Sequence, residues 1–100
     1  MSRPTALGKS EIAVRLASFP GWDLTDERLH REFIFRNFAE AFEFMSKIAI
    51  VAEKMDHHPE WSNVYNRVEV FLTTHDAKGL TTLDFELASQ MSRIAPDAPR

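Results

Sequence analysis

The chain has 100 residues, 44% of them apolar and 27% charged, the make-up of one ordinary globular domain and not of a disordered segment. A formal charge of -3 gives no basic field to draw in nucleic acid, and the absence of cysteine excludes a disulfide framework, a thiolate zinc site and a cysteine nucleophile. With no secretory h-region and no apolar run of membrane-spanning length, a cytoplasmic protein with no membrane partner is expected.

No repeat or linker divides the chain, so one domain over residues 1–100 is expected, with loose ends at about 1–6 and 96–100. A domain this short buries a limited share of its surface, which favours self-assembly. A first amphipathic helix is predicted over residues 9–18, with Ile12, Leu16 and Phe19 inward, and "FPGW" stops it. Trp22 then enters a strand. "WDLT" and "LHREFIF" read as two strands about the polar turn "DER", Leu29, Arg31, Phe33 and Phe35 alternating with His30, Glu32 and Ile34. Ile34 interrupts the polar side, which a second buried surface such as a subunit contact would explain.

Asn37 is a good N-cap, with Glu40 at capping-box spacing, and opens a long helix. Its predicted core stripe is Phe38, Phe42, Met45, Ala49, Ala52 and Met55, leaving Phe44, Ile48 and Val51 as surplus apolar surface. Pro59 ends this helix and puts His57 and His58 at or just beyond its last turn. "EWSNVY" and "VEVFLTTH" read as two further strands bent at Asn66 and Arg67, with Val68, Val70 and Leu72 on one side and Glu69, Phe71 and Thr73 on the other. "DAKG" turns the chain into a last helix that aligns Leu80, Leu83, Leu87, Met91 and Ile94. The expected fold is α+β: a four-stranded antiparallel sheet with three helices packed on one face, in the order α-β-β-α-β-β-α.

Three of the four histidines stand at element ends, where a rigid scaffold holds reactive groups: His57 and His58 after the long helix, His75 after the last strand. Imidazole exchanges protons near neutral pH, and a protonated and a neutral ring together form an acid and a base. Glu53 lies four residues before His57, within reach of it on a helix. A plainer account also exists, in which these histidines complement a helix dipole, Trp61 is core, and Asp84 merely caps the last helix with Thr81. A metal on His57, His58, His75 and Asp84 is the chemical rival, but adjacent histidines rarely aim at one ion and no HExxH spacing is present, so no metal is expected.

"EKMDHHPEWSNVYNRVEVFLTTH", followed by Gly79, Leu80 and Asp84, resembles the pterin-4a-carbinolamine dehydratase family, with its EKxxHHPxW segment, NVYN bend and threonine-histidine strand end. The likeness reaches back through the "GW" strand start and the FxFxxFxxAFxFM pattern from Phe33 to Met45, and so covers nearly the whole chain.

By that resemblance, His57 and His75 are the acid/base pair and His58 chiefly holds the pterin. Asp56, Thr73, Thr74, His75 and Asp76 line the substrate site with the two histidines. Glu53, Asp84, Pro59 and Trp61 support it. The resemblance also implies a four-stranded sheet with three helices, a homodimer or a homotetramer joined by long helices, and a neighbouring aromatic amino acid hydroxylase. The pterin is substrate, and no cofactor is expected. The alternative is a non-catalytic interaction module. Some relatives bind a homeodomain transcription factor and others are linked to assembly of a carbon-fixing enzyme, and Phe44, Ile48 and Val51 would then form the docking surface.

Overall fold

Two hairpins joined by one long helix are what the sequence pattern demands, and they are what the chain builds. The structure, a computed structural model, describes residues 4–95. Helix α1 (Lys9–Leu16) precedes strands β1 (Asp23–Thr25) and β2 (Arg28–Ile34). Helix α2 (Phe38–Met55), strands β3 (Glu60–Val64) and β4 (Arg67–Leu72) and helix α3 (Thr82–Ile94) follow. The strands form one antiparallel sheet in the order β1-β2-β4-β3. Because β4 lies between β2 and β3, α2 is the crossover that carries the chain past β4's place. A Cα radius of gyration of 13.1 Å fits the roughly 13 Å of a single domain of this length.

Of the ends expected to be loose, residues 1–3 and 96–100 lie outside the described residues. Residues 4–6 lead to Leu7, whose N–H donates to the Leu80 carbonyl at 2.7 Å. No helix among the described residues is long and apolar enough to cross a membrane.

Both hairpin turns end one residue earlier than the sequence suggests. Asp26 (φ 54) and Glu27 (φ 62) make the first turn, so Arg28 opens β2. Positive φ at both central residues matches the right-handed twist of a tight hairpin. Tyr65 (φ 52) and Asn66 make the second, so Arg67 belongs to β4 and not to the bend.

Strand alternation buries one face only. Leu29, Arg31 and Phe33 of β2 pair with Leu72, Val70 and Val68 of β4, and all six are buried. All three helices bring side chains to this same core, including Ile12 and Leu16 from α1 and Phe85, Leu87 and Met91 from α3. Arg31 is the charged exception. Its guanidinium stacks 4.3 Å from the Phe33 ring centre, and Nη1 donates to Ser92 Oγ at 3.1 Å. Gly21 makes room for it, since at φ +91 a Cβ there would meet Arg31 Cζ at 3.0 Å.

Helix α2 corrects the sequence reading. Its N-cap is as predicted, with Asn37 Oδ1 accepting from Glu40 N–H at 2.9 Å, but the Glu40 carboxylate turns back to the Arg36 N–H and guanidinium. Its buried residues are Ala41, Phe44, Ile48 and Ala52, whereas Phe38, Phe42 and Ala49 are exposed. The predicted core stripe was therefore only partly right, with Ala52 buried and Met45 and Met55 packed on the core, and the surface proposed for docking is core: Phe44 and Ile48 are buried and Val51 packs against the core. At about 100° per residue, the true buried sector is rotated by roughly 60–70° from the predicted stripe. The surplus apolar surface exists, but it consists of Phe38, Phe42 and Ile50.

Candidate active site

Helix α2 stops in a way that fixes His57. Asp56 adopts the left-handed conformation (φ 52, ψ 43), a region Asp tolerates better than most residues. The Asp56 N–H then reaches back to the Glu53 carbonyl and the His57 N–H to the Ala52 carbonyl, at 3.2 and 3.0 Å. This pair of bonds is the Schellman closure of a helix. It turns His57 toward the core while His58 stays outside.

The His57 side chain is 5% exposed and its partner Asp84 fully buried. His57 Nε2 donates to Asp84 Oδ1 at 2.7 Å. The other carboxylate oxygen, Oδ2, accepts from Thr74 Oγ at 2.8 Å and from the Thr81 N–H at 2.9 Å. A buried carboxylate needs such partners, because leaving it unpaired would cost several kcal/mol by order of magnitude. Thr74 has one hydroxyl proton and gives it to Asp84, so in the 2.8 Å contact between the two threonines the Thr81 hydroxyl donates. Thr81 Oγ also accepts from the Leu83 N–H at 3.1 Å, which caps α3. One carboxylate thus caps a helix, anchors the end of β4 and sets the proton of His57 on Nε2.

The other two histidines face water. His58 is 57% exposed and its Nε2 lies 3.0 Å from Glu53 Oε1. His75 is 79% exposed and its Nε2 lies 2.6 Å from Glu60 Oε2. His75 opens a short 3₁₀ turn, His75–Ala77, and a bridge between Thr74 and Gly79 clamps that turn. Beside it a cleft of about 240 Å³ is lined by Pro4, Thr5, Ala6, Asp76 and Ala77.

The predicted site residues therefore gather where α2 ends, β3 begins, β4 ends and α3 starts. Thr74 and Asp84 join the His57 network. Thr73 is half-buried beside them, and Asp56 and Asp76 are exposed on the flanking turns. Pro59 is half-buried between His58 and Glu60, and Trp61 packs against the hydrophobic core. Among the described residues, no three His, Cys, Asp or Glu side chains converge as metal ligands. Sequence reasoning passed over Glu60 and Arg28. Arg28 Nη1 donates to Glu60 Oε1 at 2.6 Å, and with His75 this holds the Glu60 carboxyl below the usual range. Glu60 could have been suspected from its place in "HHPEW"; Arg28 could not, since only the sheet brings it near.

His30, for which the sequence offered no role, lies on the open face of the sheet. Nδ1 is 3.1 Å from Asp23 Oδ1 and Nε2 is 2.9 Å from Glu69 Oε2, so it ties β1 to β4.

Comparison with known proteins shows which family and fold the chain shares. The family model for pterin 4 alpha carbinolamine dehydratase matches residues 5–94. A protein of Sinorhizobium fredii, provisionally named a pterin-4-alpha-carbinolamine dehydratase, is 53% identical over 95 residues, or 93% of this chain and 90% of its own. A protein of Prochlorococcus marinus with the same provisional name is 51% identical over 92% of this chain and 93% of its own. The crystal structure of a transcriptional coactivator/pterin dehydratase from Brucella melitensis superposes with a TM-score of 0.89 at 46% identity. That match covers 91% of this chain and 99% of the other.

Proposed function

The chain belongs to the pterin 4 alpha carbinolamine dehydratase family, and from that premise we propose that it removes water from 4a-hydroxytetrahydropterin, releasing the quinonoid dihydropterin. In this reaction the bond from carbon 4a to the hydroxyl breaks, the hydroxyl leaves as water with a proton from an acid, and a base takes the proton of nitrogen 5 as the carbon–nitrogen double bond forms. We assign the acid and base to His57 and His75, and the hold on the pterin chiefly to His58, with Asp56, Thr73, Thr74 and Asp76 around it. Two imidazoles in opposite protonation states meet the need without metal or organic cofactor. The observation that carries this reading is that each of the three histidines rests on a carboxylate of its own, His57 on buried Asp84, His58 on Glu53 and His75 on Glu60. Such partners orient a ring and choose which nitrogen holds the proton. An aromatic amino acid hydroxylase is the class of enzyme that supplies this substrate.

The test is stopped-flow ultraviolet detection of freshly generated 4a-hydroxytetrahydropterin, with and without a chelator. We expect acceleration that survives chelation and falls about 10²-fold or more in His57→Ala and His75→Ala, whereas His58→Ala mainly raises KM. Wild-type turnover in all three variants would remove the assignment.

A second reading has its own observation. Phe38, Phe42 and Ile50 leave an apolar flank of α2 exposed, and the Brucella relative carries the name of a transcriptional coactivator as well as of a pterin dehydratase. Self-association into a dimer or tetramer, or docking of a partner protein, would use that flank and would not need the histidines.

A further inference from the structure

His75 is the most exposed of the three site histidines, and an exposed imidazole has no fixed orientation unless something holds it. Glu60 does so from the first position of β3, where the register pairs it with Phe71 on β4. Its two oxygens are committed differently, Oε2 to His75 Nε2 and Oε1 to Arg28 Nη1, each at 2.6 Å. The Arg28 guanidinium carbon lies 4.0 Å from the centre of the Phe71 ring, and Nη2 leans on Asp26 Oδ2 at 3.5 Å. A ring on β4 thus supports a guanidinium from β2, the guanidinium fixes a carboxylate on β3, and the carboxylate faces the imidazole.

We propose that Arg28 and Glu60 are positioning residues for His75, locking its ring as the Nε2–H tautomer and presenting Nδ1 to the ligand. The inference rests on the reading of His75 as one member of the acid/base pair. Glu60 can only accept from a protonated nitrogen, so the 2.6 Å contact requires a proton on Nε2. Among the described residues Nδ1 has no partner, and it is the nitrogen left to exchange a proton with a bound pterin. Arg28 keeps Glu60 from rotating away, because a guanidinium stacked on a ring and bonded to a carboxylate loses little further freedom in holding it. An ion pair this exposed adds little to stability. Its consequence is orientation, and misplacing a reacting group by a fraction of an ångström is enough to slow a reaction.

The experiment is a mutant cycle on the full chain with two readouts. Glu60→Gln and Arg28→Met should each lower kcat about 10-fold with KM little changed, and the double variant should be no slower than Glu60→Gln alone. In a His75→Ala background neither change should lower kcat further. Nitrogen-15 NMR of the wild type should show His75 as the Nε2–H tautomer, and Glu60→Gln should show a mixture. Equal losses with and without His75, or an unchanged tautomer in Glu60→Gln, would overturn the positioning role. If His75→Ala itself turned over like wild type, the catalytic reading of His75 would fall, and the tautomer measurement alone would still decide whether Arg28 and Glu60 orient the ring.

Discussion

Replacing Asp84 by Asn separates the structural work of this residue from its chemical work. The carboxylate accepts three hydrogen bonds, from His57 Nε2, Thr74 Oγ and the Thr81 N–H. An amide in the same place can keep its oxygen toward Thr74 and Thr81, which preserves the α3 cap and the β4 anchor. Its NH₂ then faces His57 Nε2, and two donors cannot meet there. The ring must move its proton to Nδ1. The second amide hydrogen has no acceptor among the contacts that Asp84 makes, so the cost is one unmet buried donor on top of the loss of charge-assisted hydrogen bonds, about 2–4 kcal/mol. A domain of this size has roughly 5–15 kcal/mol in hand, so Asp84→Asn should fold. Asp84→Ala strands three donors at about 1–3 kcal/mol each and should come close to unfolding. For turnover the order reverses in interest. A histidine whose aspartate becomes asparagine holds the wrong tautomer, and in serine proteases that substitution lowers kcat by about 10⁴. We expect Asp84→Asn to lose at least about 10²-fold in kcat at nearly unchanged KM, measured by the same stopped-flow assay beside urea denaturation. Wild-type kcat, or a His57 still protonated on Nε2 by NMR, would refute the reasoning.

Two further expectations test the fold and the open face. Ile48→Ala should cost about 2–5 kcal/mol in urea denaturation because Ile48 is fully buried, whereas Phe42→Ser at low protein concentration should stay within about 0.5 kcal/mol; the opposite result would restore the stripe read from sequence. The Glu60 carboxyl is held below its usual range, first by the Arg28 hydrogen bond and then by His75, so the stability it contributes is present above its unfolded value and lost as pH falls through the folded one. Wild type should therefore hold a steady advantage over Arg28→Met from neutral pH to about 5, shrinking below about 4; an advantage that does not change with pH would show that Arg28 does not hold Glu60 ionised.

The strands were legible because period-two burial leaves a plain trace: Val68, Val70 and Leu72 alternate cleanly and are buried. The caps were legible because Asn37 and Thr81 meet the helix they start within three residues. Helix α2 was not, and the reason is physical. Phe38, Phe42, Phe44, Met45, Ile48, Ile50, Val51 and Met55 spread apolar side chains over well over half its circumference. A stripe drawn at helical spacing can then be placed along more than one line, and only the sheet decides which line is core.

The site shows the same division between local and distant information. The histidine triplet stood out in the sequence, but what separates the surroundings of His57 and His75 is strand parity. Continued past Leu72, the alternation of β4 sends Thr74 inward, where it is 1% exposed, and His75 outward. The register of β3 puts Glu60 beside Phe71 on the open face and Trp61 beside Val70 on the core face. Thr74 can therefore bond Asp84 and reinforce the buried His57, while Glu60 meets His75 outside. A one-residue slip of β4 would exchange every face at once, carrying His75 into the core and Thr74 away from Asp84. The two histidine networks, one dry and one wet, are thus set by the same register that packs Val68, Val70 and Leu72, so both can form only when the sheet is correctly paired.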